Sequence, residues 1–182
     1  MKRSLSHILT LFSIFSLLSC GTSKKNQLAD EKKDTTTIQV NKNIENNFPK
    51  SIGWVNDFDS ILTDNEENQL NNICSNYEKT STNQLVIATI HSFKPYNNIA
   101  DYSKDLFNEW KIGTKEKNNG VLIVLCKGRH EVRIETGLGV EKILTNKVCD
   151  HIIDPIMLSY FEEEKYYEGL KAGTEEIIKK WK

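Results

Sequence analysis

In its 182 residues the chain carries 24 Lys and Arg against 25 Asp and Glu, for a formal net charge of −1. So even a balance leaves out the basic footprint of a nucleic-acid-binding protein and supplies no field that would hold the chain to an anionic membrane surface. Beyond the first twenty residues, no apolar run is long enough to span a bilayer.

The N-terminus reads as an export signal. Lys2 and Arg3 form a basic start, residues 5–18 are mostly apolar, and Leu17-Leu18-Ser19-Cys20-Gly21 follows. A basic start, a short apolar stretch and a small residue before the cut define a secretory signal. With Cys20 next in line, the run resembles a bacterial lipobox. That resemblance implies diacylglycerol on the Cys20 sulfur, cleavage before Cys20 and acylation of the new amine; the alternative is an ordinary signal followed by an incidental cysteine. Two or three acyl chains anchor stably where one alone binds marginally. The expectation is a signal peptide over 1–19 and an exported lipoprotein, held to a membrane through Cys20 at a periplasmic face or the cell surface. Residues 21–50 are polar and unperiodic, with Thr35-Thr36-Thr37 and Asn46-Asn47. Such a segment buries too little surface to offset its conformational entropy, so 20–50 is expected to be the lipidated cysteine and a flexible tether.

From 51 to 182 the pattern is that of one domain. Thr63-Asp64-Asn65-Glu66 predicts a capping box, followed by a helix with Leu70, Ile73, Cys74 and Tyr77 on one face. Residues 84–91 predict a buried strand and residues 99–110 a helix. Gly120 to Cys126 is the most apolar strand, Lys127 to His130 a turn, and Glu131 to Thr136 a half-exposed hairpin strand. Thr145 predicts the cap of another helix, which Pro155 inside it should kink or shorten. A last helix runs from Lys165 to the end. Alternating strands and helices predict an α/β sandwich, and the hairpin makes its central sheet mixed.

The sequence has no G-x-S-x-G, H-E-x-x-H, P-loop or G-x-G-x-x-G motif. His130 falls in the hairpin turn and His151 on a helix surface, neither with a nucleophile in sequence reach. Cys74, Cys126 and Cys149 are an odd set after Cys20 is set aside, so at least one stays unpaired; they read as small buried hydrophobes, with no zinc spacing. Three segments stand out: Trp54-Val55-Asn56-Asp57-Phe58, the loop from Trp110 into Asn118-Asn119-Gly120, and Arg133-Ile134-Glu135-Thr136-Gly137-Leu138-Gly139-Val140-Glu141. Their carboxylates, amides and carbonyls are hard ligands suited to calcium or magnesium. Each also has a plain structural reading: Asp57 caps a turn, Asn119-Gly120 breaks a loop, and Gly137 and Gly139 turn the chain.

Taken together, Val55-Asn56-Asp57, Trp110-x-Ile112-Gly113, Asn119-Gly120 with its strand, the Arg133-to-Glu141 segment, Pro155 and Tyr167-x-Gly169 resemble the TPM domain family over residues 52–182. The resemblance implies a Rossmann-like α/β/α sandwich and divalent-cation binding in a cleft of loop carboxylates. It leads to the expectation of calcium, or magnesium, held by Asp57, Asn119, Glu135, Gly137 and Glu141. It departs from the family at Asn118, where an acid often precedes the Asn-Gly pair, so one charge is missing there. Family members are typically exported and membrane-tethered, and many carry a transmembrane helix and glycine-rich tail after the domain; this sequence stops at Lys182, so anchoring is expected only at its front. Two functions follow as expectations. One is a cation-binding module assisting assembly or turnover of membrane proteins, with a membrane protein as partner. The other is a metal-assisted acid phosphatase with Asp57 or Glu135 as ligand or base.

Overall fold

The computed structural model describes residues 48–182. The expected signal over 1–19, Cys20 and the expected tether as far as residue 47 lie outside the described residues. The described chain forms β1 (Val55–Asp57), α1 (Asp64–Ser81), β2 (Gln84–Thr89), α2 (Ile99–Glu109), β3 (Gly120–Cys126) and β4 (Glu131–Thr136). These are followed by α3 (Asn146–Ile152), a π-helical turn (Ile153–Leu158), α4 (Ser159–Phe161) and α5 (Tyr166–Lys180). The strands lie in the order β1-β2-β3-β4; β1, β2 and β3 are parallel and β4 runs antiparallel to β3. This is the expected α/β/α sandwich with a mixed sheet.

Local chemistry accounts for much of it. Thr63 caps α1, accepting from the Glu66 amide while the Glu66 carboxylate accepts from the Thr63 amide at 2.7 Å. β3 reads as an unbroken apolar run because helices cover both faces of the sheet. Val121, Ile123 and Leu125 face a core built with α1, α3 and α5, and Leu122, Val124 and Cys126 face a second core under α2. Pro155 falls inside the π-helical turn. A proline lacks the amide that an α-helix needs, and a wider turn absorbs that loss without ending the element. Cys74, Cys126 and Cys149 are all buried free thiols. Burial pushes Cys74 up to about 12 and Cys149 up to about 11, so neither is a nucleophile near neutral pH.

Two features were not expected. The Trp54–Phe58 segment supplies a fourth strand, β1, only three residues long. Packing also starts ahead of 51: the Phe48 ring lies 6.0 Å from that of Tyr96 and 5.3 Å from that of Tyr102, and the Pro49 carbonyl accepts from Trp110 Nε1 at 2.9 Å.

The order of the strands has a consequence for their ends. β1 to β2 and β2 to β3 are both parallel steps in the same direction across the sheet. Yet α1, which makes the first crossover, packs on one face and α2, which makes the second, packs on the other. Two steps in one direction over opposite faces have opposite hands, so one crossover is left-handed, against the strong right-handed rule. The chain therefore leaves the carboxyl ends of β1 and β2 toward opposite faces, the arrangement that opens a crevice in an α/β sheet.

Candidate functional site

The crevice is spanned by side chains from the two departing loops. The Thr89 hydroxyl at the end of β2 donates to Asp57 at the end of β1. The same hydroxyl accepts from the Asp59 amide at 3.2 Å. The carboxylate of Asp59, only 12% exposed, meets Nδ1 of His91 at 3.0 Å across 32 residues of sequence. An ionised carboxylate is an acceptor only, so in the neutral imidazole the Asp59 contact selects the Nδ1–H tautomer and leaves Nε2 as an acceptor. The His91 ring is itself 89% exposed, with no second partner among the described residues.

Beside this pair, on the α2 face, lies a cleft of about 370 Å³ walled by Phe48, Phe58, Tyr96 and Tyr102, with His91 and Lys94 also in its lining. Its volume lies within the ~300–1,000 Å³ of small-ligand pockets. Among the described residues no carboxylate lines it. Two carboxylates bond to its lining residues: Asp59 to His91, and Asp105 to the Tyr96 hydroxyl at 2.8 Å.

The amino ends of the strands are built differently. The Asn119 side chain is buried and fully used. Its Oδ1 accepts from the Thr114 amide at 3.0 Å and the Thr114 hydroxyl at 3.2 Å, and its Nδ2 donates to the Thr82 carbonyl at 2.7 Å and to Asn83 Oδ1 at 3.3 Å. That is the full capacity of a carboxamide. Gly137 and Gly139 let one stretch of backbone lie on another. A Cβ on Gly137 would sit 2.3 Å from the Asn118 carbonyl oxygen, and one on Gly139 would sit 1.9 Å from that of Lys117. Asn118 itself has φ +46, a left-handed conformation that Asn and Asp tolerate better than most residues. The residue before the Asn-Gly pair thus has a backbone reason to be Asn or Asp, separate from any charge.

Of the five expected ligands, the structure gathers four and leaves one apart. Asn119, Glu135, Gly137 and Glu141 lie toward the amino end of β3, where Glu135 pairs with Leu122 and the Gly137 amide donates to the Gly120 carbonyl at 2.9 Å. Asp57 sits at the carboxyl end, level with Thr89 and through it Leu125. Its two oxygens accept from the Ile61 amide at 3.2 Å and the Leu62 amide at 2.8 Å, besides the Thr89 hydroxyl. It caps the turn into α1. Glu135 pairs with Arg133 at 3.3 Å. Burial, with Glu141 nearby, raises its pKa despite Arg133 and Lys104, so part of its charge is disfavoured. Among the described residues no group of three or more His, Cys, Asp or Glu is arranged to hold a metal ion. One cation shared by all three segments does not fit this geometry.

The Asp59–His91 pair was not legible in the sequence. Both residues are single, in separate loops, and joined only when β1 pairs with β2. The one available signal was the topological rule that strand ends with diverging connections form crevices.

The family model of the TPM domain matches residues 55–180. Among solved structures, the fold is similar to the N-terminal domain of a protein from P. gingivalis, 27% identical with a TM-score of 0.65 over 70% of this chain and 80% of that one. It is also similar to the BA42 protein from Bizionia argentinensis, 19% identical with a TM-score of 0.59 over 68% and 83% of the two chains. The N-terminal domain of the cg2496 protein from Corynebacterium glutamicum is 10% identical, with a TM-score of 0.56 over 73% and 83%. Among curated proteins none matches. With its family match running from β1 through α5, the chain belongs to the TPM domain family.

Proposed function

We infer that this TPM domain is an exported binding module, tethered to a membrane through lipid on Cys20, that assists the assembly or turnover of membrane proteins. One observation carries the reading. The diverging connections after β1 and β2 open a preformed aromatic cleft, while the polar residues of the family motif are spent on holding the backbone. Asn119 is saturated by its four partners and Asp57 by the turn it caps. The phosphatase alternative asks Asp57 or Glu135 to act as ligand or base, and Glu135 is paired to Arg133. Calcium enters this reading as a weak ligand of one end of the sheet, and the binding function does not depend on it.

Two measurements test the proposal. A photocrosslinking residue at Phe58, in the cleft, should capture membrane proteins in intact cells, and one at Glu176 on α5 should not; Cys20→Ser should abolish both the capture and membrane fractionation. Turnover of an aryl phosphate by the purified chain, lost with chelator and in both Asp57→Asn and Glu135→Gln, would overturn the reading in favour of the hydrolase.

A further inference from the structure

We propose that the cleft beside His91 receives the free C-terminal aromatic residue of a protein chain. The inference deepens the binding reading above and rests on it. Three features of the cleft correspond to three features of such a residue.

The walls come first. Phe48, Phe58, Tyr96 and Tyr102 surround the space, and the Tyr96 and Tyr102 rings meet edge to face at 5.4 Å. Aromatic walls favour an aromatic guest through area and through ring-edge geometry. The second feature is charge. Among the described residues Lys94 is the one lysine or arginine in the lining. The neighbouring carboxylates Asp59 and Asp105 already have hydrogen-bond partners, and Arg129 lies over the Phe93 ring at 5.3 Å. An apolar cleft with a lone lysine at its wall suits a ring that carries an anion. The third is an acceptor. In the neutral ring, the Asp59 contact at Nδ1 leaves Nε2 as an acceptor without a partner among the described residues. A C-terminal residue offers an aromatic ring, a carboxylate and, unlike an aryl phosphate, a backbone N–H to meet that nitrogen.

The probes are N-acetyl-glycyl-phenylalanine as the free acid and as its amide, titrated into the ¹⁵N-labelled full chain and followed by amide shifts. The acid should shift the amides of His91, Ser92, Lys94 and Tyr96. The C-terminal amide should bind about tenfold more weakly, as expected for loss of a charge-assisted contact. Lys94→Gln should reduce the acid to the affinity of the amide without changing the amide's own. An unfolded variant would lose both, so this readout is specific. N-methylation of the phenylalanine should weaken the acid in the wild type and not in His91→Phe. Equal binding of acid and amide would overturn the ligand class while leaving the cleft a binding site. Millimolar acid and amide that both leave these residues unshifted would overturn the ligand class and the cleft together.

Discussion

Asp57 and Asn119 lie at opposite ends of the parallel strands. Asp57 is level with Thr89, whereas Asn119 precedes Gly120, the partner of Gln84 at the other end of β2. At ~3.3 Å per residue the six steps along the strand separate them by roughly 20 Å, several times the reach of any one ion's ligand shell. The two motifs that suggest one cation site are therefore separate constructions. Glu135→Gln should reduce calcium-induced amide shifts at the amino end of the strands, and Asp57→Asn should leave those shifts unchanged. A single midpoint for shifts at both ends, abolished by either substitution, would restore the shared site. Asp57→Asn should also lower stability by about 1–3 kcal/mol in calcium-free buffer, because the acceptor for the Ile61 and Leu62 amides is weakened. Denaturant melts with chelator present check this.

Asn119 should behave as a staple. Asn119→Ala strands the Thr82 carbonyl and the Thr114 amide at the entry to β3. The expected loss is about 1–3 kcal/mol, from part-buried backbone groups that lose their partners. Urea unfolding measures it. A loss under half a kcal/mol would mean that water replaces the side chain at little cost.

The glycines of the amino end separate by what surrounds them. Gly139→Ala would bring its Cβ to 1.9 Å from the Lys117 carbonyl oxygen, a backbone atom that cannot swing aside. It should cost more than about 3 kcal/mol or prevent folding. Gly53→Ala meets nothing nearer than Asn71 Oδ1 at 3.6 Å, and should be neutral or stabilising by about 0.4–1 kcal/mol through the unfolded state. Thermal melts of the two variants side by side test the contrast.

Glu135 makes a pH prediction. Burial raises its pKa in the folded chain above that of the unfolded chain, so the folded state binds the proton more tightly. The stability this confers is complete below the unfolded carboxylate value and is lost as pH rises through the folded one. Glu135→Gln should therefore be more favourable relative to wild type at pH 7 than at pH 3. A pH series of denaturant midpoints for both proteins gives the difference, and the opposite slope would show that the Arg133 pair dominates burial.

Local sequence determined the elements whose signals are local. Thr63 and Glu66 specify the start of α1 because a capping box needs only one turn of chain, and the apolar run of Gly120–Cys126 specifies a strand covered on both faces. The glycines at 137 and 139 likewise announce a tight backbone, though not which backbone they touch. Tertiary structure decided everything that depends on direction and pairing. β1 is too short, at Val55–Asp57, to show alternation, and it becomes a strand by hydrogen bonding to β2. The face taken by each crossover depends on which side of the sheet α1 and α2 bury their apolar stripes. Parallel pairing of β1, β2 and β3 put Asp57 and Asn119 at opposite ends, and the register of β1 on β2 brought Asp59 to His91 across the crevice. Neither contact leaves a trace in the spacing of residues, because strand register and crossover hand are properties of the assembled sheet and not of any one segment.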